Sequence, residues 1–395
     1  MANRGAAIKH LLLRNTEEII DHPHLERVLL SGKKLRVKHG VDPTGDKIHL
    51  GRAISLWKLR EFQDLGHKIV LIIGDFTAQI GDPSDKLEKR PFIAKIQIER
   101  NMKNYLPQIG KILDLKKAEI RYNSEWLSRL NFRDVSDLAE LFSVAQILER
   151  RNFQERWKKN KEISLRELMY PLMQGYDSVA VKADVEIGGS DQLFNLIAGR
   201  KIQERYGQEP QDIMTTKMLL GLDGRKMSTS WGNVVNTSDS PDEQFGKIMS
   251  MHDSEILNYF ELTTDAGEEK IRTHKQTLTA GKNPKPIKED LAGEIVRRYH
   301  GTEAAEKARS KFEKLFSKKE VPEELPEIKS KKKVAAIDLI ASLDFIKSRS
   351  EARRLIEQGG LEVSGMAKKD PKEIINFHGG EVLRVGKKRF FRVKV

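Results

Sequence analysis

The sequence predicts an α/β protein built on a parallel sheet, followed by a helical region and a small, strongly basic α+β tail. Three observations carry this. The run Lys68–Thr77 (KIVLIIGDFT) is continuously apolar through its first half, as a parallel strand covered on both faces requires. It follows the apolar strand Leu35–Val41 across a stretch of helical periodicity, and strand–helix–strand with a short break is a right-handed crossover unit. The last 65 residues, from Lys331, hold 16 Lys and Arg against 8 Asp and Glu, a net +8 of the chain's +13. A basic module so concentrated points to a polyanion, RNA or DNA first.

Composition sets the outer limits. With 395 residues, 33% charged and 38% apolar, the chain is long enough for two or three domains and has a highly charged surface. No apolar run approaches the roughly 20 residues of a membrane span. Leu11–Leu13 is too short for a signal-peptide core, and Glu17 and Glu18 follow it. The absence of cysteine excludes disulfides and cysteine-ligated zinc, so no zinc is expected, and it fits a reducing cytoplasm.

In chain order, Ala6 to Leu30 reads as helical with a break at His22-Pro23. Strand Leu35–Val41 must stop by Pro43, which has no amide to give a ladder, and Gly45 lets the loop turn back. From Ala53 the apolar residues Ile54, Trp57, Phe62 and Leu65, with Leu56 and Leu59, mark one buried helical face. His49, Gly51 and Arg52 therefore sit at a helix N-terminus, whose free N–H groups favour an anion, typically phosphate. The loops at Gly74-Asp75 and Gly81-Asp82-Pro83 fall at the carboxyl rim of the sheet, where parallel sheets bind ligands.

Ile93–Leu113 is predicted helical, Glu119–Tyr122 a strand, and Asn131–Trp157 two helices. A long helix over Ile163–Val181 places Tyr170, Gln174 and Asp177, spaced by four and three, on one face. Val185–Ile187 is a strand, and Gly188–Gln192 opens a helix through Glu204 with Asp191 near its N-terminus. Gly221–Ser230 is a loop, mobile by composition. Pro241–Phe260 and Ile287–Phe316 are helical, and Ser317–Lys333, with two prolines and dense mixed charge, is a linker. The tail reads as helices Ala335–Leu343 and Ser348–Gln358 and strands Leu361–Val363, Val382–Val385 and Phe390–Val393. The expected divisions are 1–235, 236–316, the linker 317–333, and 334–395. Singly, each polar cluster has an ordinary reading: a capped turn, a polar helix face, a basic loop. Only their conjunction points to chemistry.

That conjunction resembles the bacterial-type tyrosyl-tRNA synthetases, within the class I aminoacyl-tRNA synthetases. HLGR at His49–Arg52 resembles the first class signature, and KMSTS at Lys226–Ser230 the second, usually written KMSKS. GGSDQ at Gly188–Gln192, the GDP of Gly81–Pro83, and MYPLMQGYD, with Tyr170, Gln174, Tyr176 and Asp177, resemble the family's tyrosine-pocket segments. The tail from about Val334 is similar to the S4-type RNA-binding domain. The resemblance implies a doubly wound, Rossmann-like catalytic domain, a helical domain and an S4-like tail. It implies a homodimer that uses ATP with Mg2+, L-tyrosine and tyrosine tRNA, and no bound organic cofactor.

Residue roles follow from the same resemblance. His49, Arg52, Lys226 and Thr229 would act on the phosphates, with Thr44, Gly51, Gly189, Asp191, Met227, Ser228 and Ser230 completing the ATP site. Lys38, Gly40, Asp42, Asp82, Tyr170, Gln174, Asp177 and Gln192 would surround tyrosine, Asp177 accepting its phenolic hydroxyl. Arg349, Arg353, Arg354, Lys387 and Lys388 would meet RNA. Three residues depart from the family pattern. Arg52 replaces the second His of the first signature, Thr229 replaces the second Lys of KMSKS, and Lys38 stands where many members have a tyrosine. Lys38 is expected to pair with Asp177 or to donate to the substrate oxygen. Two rivals remain: a non-catalytic RNA-binding paralogue, supported by Arg52 and Thr229, and the related tryptophan enzyme, disfavoured by the tail and by Asp177.

Overall fold

The chain opens with α1 (Ala2–Leu13), β1 (Thr16–Ile20) and α2 (His22–Ser31), and then enters β2 (Arg36–Val41), α3 (Leu50–Asp64) and β3 (Lys68–Ile73). This computed structural model describes residues 2–84, 93–316, 325–346, 348–386 and 389–395. Next come α4 (Lys95–Ile109), β4 (Glu119–Tyr122), α5 (Ser124–Leu127), α6 (Phe132–Ala139), α7 (Val144–Leu148) and α8 (Arg151–Lys158). They are followed by α9 (Leu165–Leu168), α10 (Tyr170–Val181), β5 (Val185–Gly189), α11 (Leu193–Arg205) and β6 (Asp212–Thr216). Among the described residues these strands form one six-stranded sheet, ordered β1-β6-β5-β2-β3-β4. All neighbours are parallel except β1, which lies antiparallel on β6.

The residues explain the layers. Ile69 to Ile73 are fully buried, so β3 is covered on both faces, as its unbroken apolar run requires. Lys38 on β2 points to α10, where its Nζ meets the Gln174 carbonyl and Ser178 Oγ. Ser55 on α3 meets Thr216 Oγ1 at 3.1 Å. Thr216 is in register with Gly189, three residues from Glu186, the register partner of Lys38. Side chains alternate along a strand, so α3 and α10 cover opposite faces of a doubly wound sheet.

Helices α12 (Pro241–Met249), α13 (Ile256–Thr263), α14 (Glu268–Thr279) and α15 (Lys285–His300) follow; α12 packs on α15, and α13 on α14, α15 and α3. The seam with α3 is specific: the Trp57 indole N–H donates to Tyr299 OH at 2.9 Å, and the Arg298 guanidinium lies 3.6 Å over the Trp57 ring. The chain separates into two compact units, Met1–Ala308 and Arg309–Val395, with α16 (Thr302–Phe316) crossing the division.

The second unit has β7 (Glu327–Lys329), β8 (Lys333–Ala335), α17 (Ala336–Ala341), α18 (Arg349–Glu357), β9 (Leu361–Val363), β10 (Met366–Lys368), β11 (Ile374–Asn376), β12 (Val382–Val385) and β13 (Arg389–Lys394). Its described strands form a sheet ordered β10-β9-β12-β13-β7 and a separate β8–β11 pair. Ile340, Ile356, Leu361 and Leu383 are at the centre of its own apolar core.

Several expectations are corrected. The first helical stretch is interrupted by β1: Thr16–Ile20 has weak local strand signals, and its pairing with β6 makes it a strand. The expected long helix over 163–181 is two helices meeting at Met169, because Pro171 opens α10 and has no N–H to continue the ladder of α9. Gly301, at φ 87°, splits the last long helix into α15 and α16. Within the expected linker, Glu327–Lys329 is a strand paired with β13, while 317–324 lie outside the described residues.

Candidate active site

Strands β2 and β5 are neighbours, but their connections leave in opposite directions, β2 to β3 and β5 to β6. A parallel sheet opens a crevice at such a switch point, beyond the carboxyl ends of its strands. A cavity of about 300 Å³ lies there, large enough for a small-molecule site. Its wall takes in Gly40, Asp42 and Thr44 from the end of β2, and His49, Gly51 and Arg52 from the start of α3. Asp82, Tyr170, Gln174 and Asp177 line it, as do Gly189, Asp191 and Gln192, and finally Lys226 and Met227. Segments separated by up to 188 residues in sequence, from His39 to Met227, thus meet around one space.

The two signature-like segments are joined by backbone. Leu50 N donates to Val235 O at 2.9 Å and Thr237 N to Ile48 O at 2.8 Å, so the strand-like stretch after the second segment lies against the first. Gly51 permits close contact: a Cβ there would stand 3.2 Å from both His49 Nδ1 and Met227 Sδ. The KMSTS loop, expected to be loose, is braced at its base by Asn233. That side chain accepts from Ser228 N at 2.8 Å and donates to the Lys226 carbonyl at 3.1 Å and to Asp223 at 2.8 Å. A Cβ at Gly221 would strike Asn233 Nδ2 at 2.2 Å, so the brace needs glycine there.

His49 caps α3, its Nδ1 accepting from Arg52 N at 3.3 Å. Burial, with Arg52 nearby, holds its pKa down at about 3, so the imidazole is neutral. With Nδ1 accepting, the single ring proton is on Nε2, which becomes a hydrogen-bond donor. Arg52 is exposed and its guanidinium bonds Tyr105 OH on α4.

The most deeply buried carboxylate of the cavity wall is Asp177. Trp126 Nε1 donates to its Oδ1 at 2.7 Å and Asn123 Nδ2 to its Oδ2 at 3.4 Å. Burial pushes its pKa up to about 7, against the opposing pull of Lys38 and these two donors. Asp42 accepts from Thr77 Oγ1 at 2.7 Å and from Tyr170 OH at 2.8 Å, and burial with Asp42 alongside raises the Tyr170 phenol well above its ordinary value. Asp82 accepts from Gln192 Nε2 at 2.5 Å. Gln174 donates to Glu186 at 3.2 Å and accepts from Asn195 at 3.1 Å.

Lys38 is the main correction. It is fully buried outside the cavity wall and does not hydrogen-bond Asp177. Its Nζ lies 2.9 Å from Glu186 Oε1, 2.8 Å from the Gln174 carbonyl and 2.7 Å from Ser178 Oγ. Glu186 stands opposite Lys38 in the β2–β5 register and also accepts from Gln211 at 2.5 Å. The lysine therefore ties α10 to the sheet rather than reaching the ligand space. Thr229 is exposed and, like Ser228, lies outside the cavity wall. The Ser230 side chain, Lys387 and Lys388 lie outside the described residues. Residues missed by the sequence reading are Trp126, Asn123, Thr77 and Tyr105, together with His39, whose Nδ1 meets the Ile187 carbonyl at 2.7 Å in the cavity wall.

Residues 30–317 match the family described as tRNA synthetases class I (W and Y). The chain belongs to this family. A tyrosine–tRNA ligase of Thermotoga maritima is 48% identical over 386 residues, covering 97% of this chain and 96% of the relative. One from Aquifex aeolicus is 44% identical, with 97% of each chain covered. Among solved structures, a C-terminally truncated mitochondrial tyrosyl-tRNA synthetase of Aspergillus nidulans aligns with a TM-score of 0.65 at 21% identity, over 78% of this chain and 94% of that one. The Archaeoglobus fulgidus tyrosyl-tRNA synthetase solved with L-tyrosine aligns at 0.61 and 23%, over 77% and 99%. At those identities the likeness is one of fold.

Proposed function

We infer that the chain is a tyrosine–tRNA ligase: it activates L-tyrosine with ATP, releasing pyrophosphate, and passes the tyrosyl group to the 3′ end of tyrosine tRNA, releasing AMP. The observation that carries the choice of amino acid is Asp177, a buried carboxylate in the wall of the same cavity that His49 and Lys226 line. An acceptor so desolvated rewards a ligand hydroxyl and penalises its absence, which disfavours phenylalanine. A site built to bond a substrate hydroxyl rejects the analogue that lacks it, because its buried acceptor is then left unpaired.

In the activation step a carboxylate oxygen of tyrosine attacks the α-phosphorus. A P–O bond forms, the bond to the bridging oxygen breaks, and the electron pair leaves with pyrophosphate. Mg2+ enters as the counterion of ATP. The chain forms no covalent intermediate, so its contribution is orientation and charge. Asp177 accepts the phenol, and Asp82, Tyr170 and Gln174 surround the ammonium, with Gly40, Asp42 and Gln192 beside them. Asp191 and Gly189 hold the ribose, with Thr44, Gly51 and Met227 along the nucleotide. The neutral His49 donates from Nε2 to phosphate, and Lys226 and Arg52 offset charge on the departing pyrophosphate. Arg349, Arg353 and Arg354, with Lys387 and Lys388, give the tail its RNA contacts; in the fold Arg349 is 2.8 Å from Asp338. Working as a homodimer in the cytoplasm, where ATP and tRNA are found, completes the reading. No described helix is long and apolar enough to cross a membrane.

The test is tyrosine-dependent exchange of pyrophosphate into ATP, with tryptophan and phenylalanine as competitors, followed by charging of tRNA. No exchange would leave the non-catalytic reading; exchange driven by tryptophan would reassign the amino acid.

A further inference from the structure

Arg150 stands between α7 and α8, outside every segment the chemistry has used so far. Its side chain is laid over two aromatic rings, 4.9 Å from the centre of Phe194 and 5.6 Å from that of Phe153. There its Nη2 donates to Ser84 Oγ at 2.5 Å. Ser84 in turn donates from Oγ to Asp82 Oδ1 at 2.7 Å, and from its backbone N to the same oxygen at 3.0 Å. The order of donors matters. A hydroxyl has one hydrogen, and a guanidinium can only donate. Arg150 occupies a lone pair of Ser84 Oγ, so the hydroxyl hydrogen is directed to Asp82.

Two residues on, in α8, a second contact secures the loop: Asn152 Nδ2 donates to the Pro83 carbonyl at 2.8 Å. From the other side Gln192 holds Asp82 Oδ2, and Asn195 reaches Ser84 Oγ at 3.2 Å. Arg150 Nη1 is buried near these groups without a hydrogen-bond partner, so its charge faces Asp82 and Asp191 undischarged by a direct ion pair.

We propose that Arg150 is a positioning residue for the amino-acid site: through Ser84 it fixes the rotamer of Asp82, so that the carboxylate meets the substrate ammonium. This rests on the reading of Asp82 as the ammonium partner. Arg150 itself lies outside the cavity wall. An ammonium is a small, strongly hydrated charge, and displacing its water is favourable only against an acceptor already in place. A carboxylate free to rotate offers less.

The experiment uses the full chain and three ligands, with affinities measured calorimetrically in the absence of ATP. The ligands are L-tyrosine, tyramine, which keeps the ammonium but lacks the carboxylate, and 3-(4-hydroxyphenyl)propionate, which lacks the ammonium. Arg150→Ala is expected to weaken tyrosine and tyramine about tenfold or more, the scale of one hydrogen bond to a charged group. It should leave the propionate within about twofold and the activation rate at saturating tyrosine little changed. Arg150→Lys should recover part of the loss, since a cationic donor is retained. Ser84→Ala should reproduce the pattern, and serves alone if Arg150→Ala does not fold. Equal losses for all three ligands, or no loss in either variant, would overturn the proposal. Asp82→Asn separates the two readings. If it leaves tyramine binding intact, Asp82 is not the ammonium partner; if it abolishes binding while the Arg150 and Ser84 variants do nothing, only the positioning role fails.

Discussion

Replacing Lys38 by Met should destabilise the first unit by roughly 3 kcal/mol, the lower end of the range for removing one partner of a buried ion pair. Lys38 is fully buried and Glu186 is 1% exposed, so the orphaned carboxylate cannot turn to solvent. The lower end is chosen because Glu186 keeps three neutral donors, Gln174, Ser178 and Gln211, that soften the loss. Two further acceptors, the Gln174 carbonyl and Ser178 Oγ, lose the ammonium as well. Urea unfolding followed by fluorescence measures the change. Adding Glu186→Gln removes the stranded charge but keeps an acceptor, so the double variant should recover all but about 1 kcal/mol. Tyrosine affinity should fall in the single variant and largely return in the double one, because Lys38 acts on the pocket by fixing α10. A single variant as stable as the parent, or a double variant no better than the single, would refute the ion pair as the tie between α10 and the sheet.

Tyrosine affinity should be full above about pH 8 and decline as pH falls through about 7, as Asp177 takes up a proton and ceases to accept from the phenol; Asp177→Asn should flatten the profile in a calorimetric titration. The sign for stability is opposite. Since the folded-state pKa lies above the unfolded 3.8, Asp177 favours the folded state at low pH, and that contribution is lost as pH rises from about 4 to 7. Lys226→Ala should slow adenylate formation on the order of 100-fold with tyrosine affinity retained, read by stopped-flow; an unchanged rate would remove Lys226 from the phosphates. Thr229→Lys should speed activation or leave it unaltered, because Thr229 is exposed and outside the cavity wall, and a large slowing would contradict that placement. Ending the chain at Phe316 should preserve pyrophosphate exchange and cripple charging, with a weaker salt dependence of RNA binding; a cut at Lys331 would instead leave Glu327–Lys329 without its strand partner β13.

What the sequence disclosed was whatever neighbouring residues decide. The β2–α3–β3 unit is written in apolar spacing and in the stop at Pro43, and His49 falls at a helix start because the periodicity begins just after it. Strand β1 was hidden because Thr16–Ile20 carries two glutamates and acquires strand character only from β6. Lys38 shows the same limit in the site. Its residue type announces a cation, but the choice between Asp177 and Glu186 is made by strand register, 148 residues downstream. Trp126 and Asn123 reach Asp177 from 51 and 54 residues away, and no local pattern marks them as its donors.

The antiparallel edge has a consequence for synthesis. Thr16 leaves the ribosome about 200 residues before its partner Thr216. At roughly 5–20 residues per second, β1 waits on the order of 10–40 s for β6. During that interval β2, β3 and β4 can pair with one another in the order in which they are made, while the amino-terminal strand has nothing to join. Glu17 and Glu18 lie on exposed positions of that strand. Charges on an unpaired strand discourage it from joining the same segment of another nascent chain on a polysome. The residues that concealed the strand from a local reading are thus the ones whose charge disfavours pairing before its partner is made.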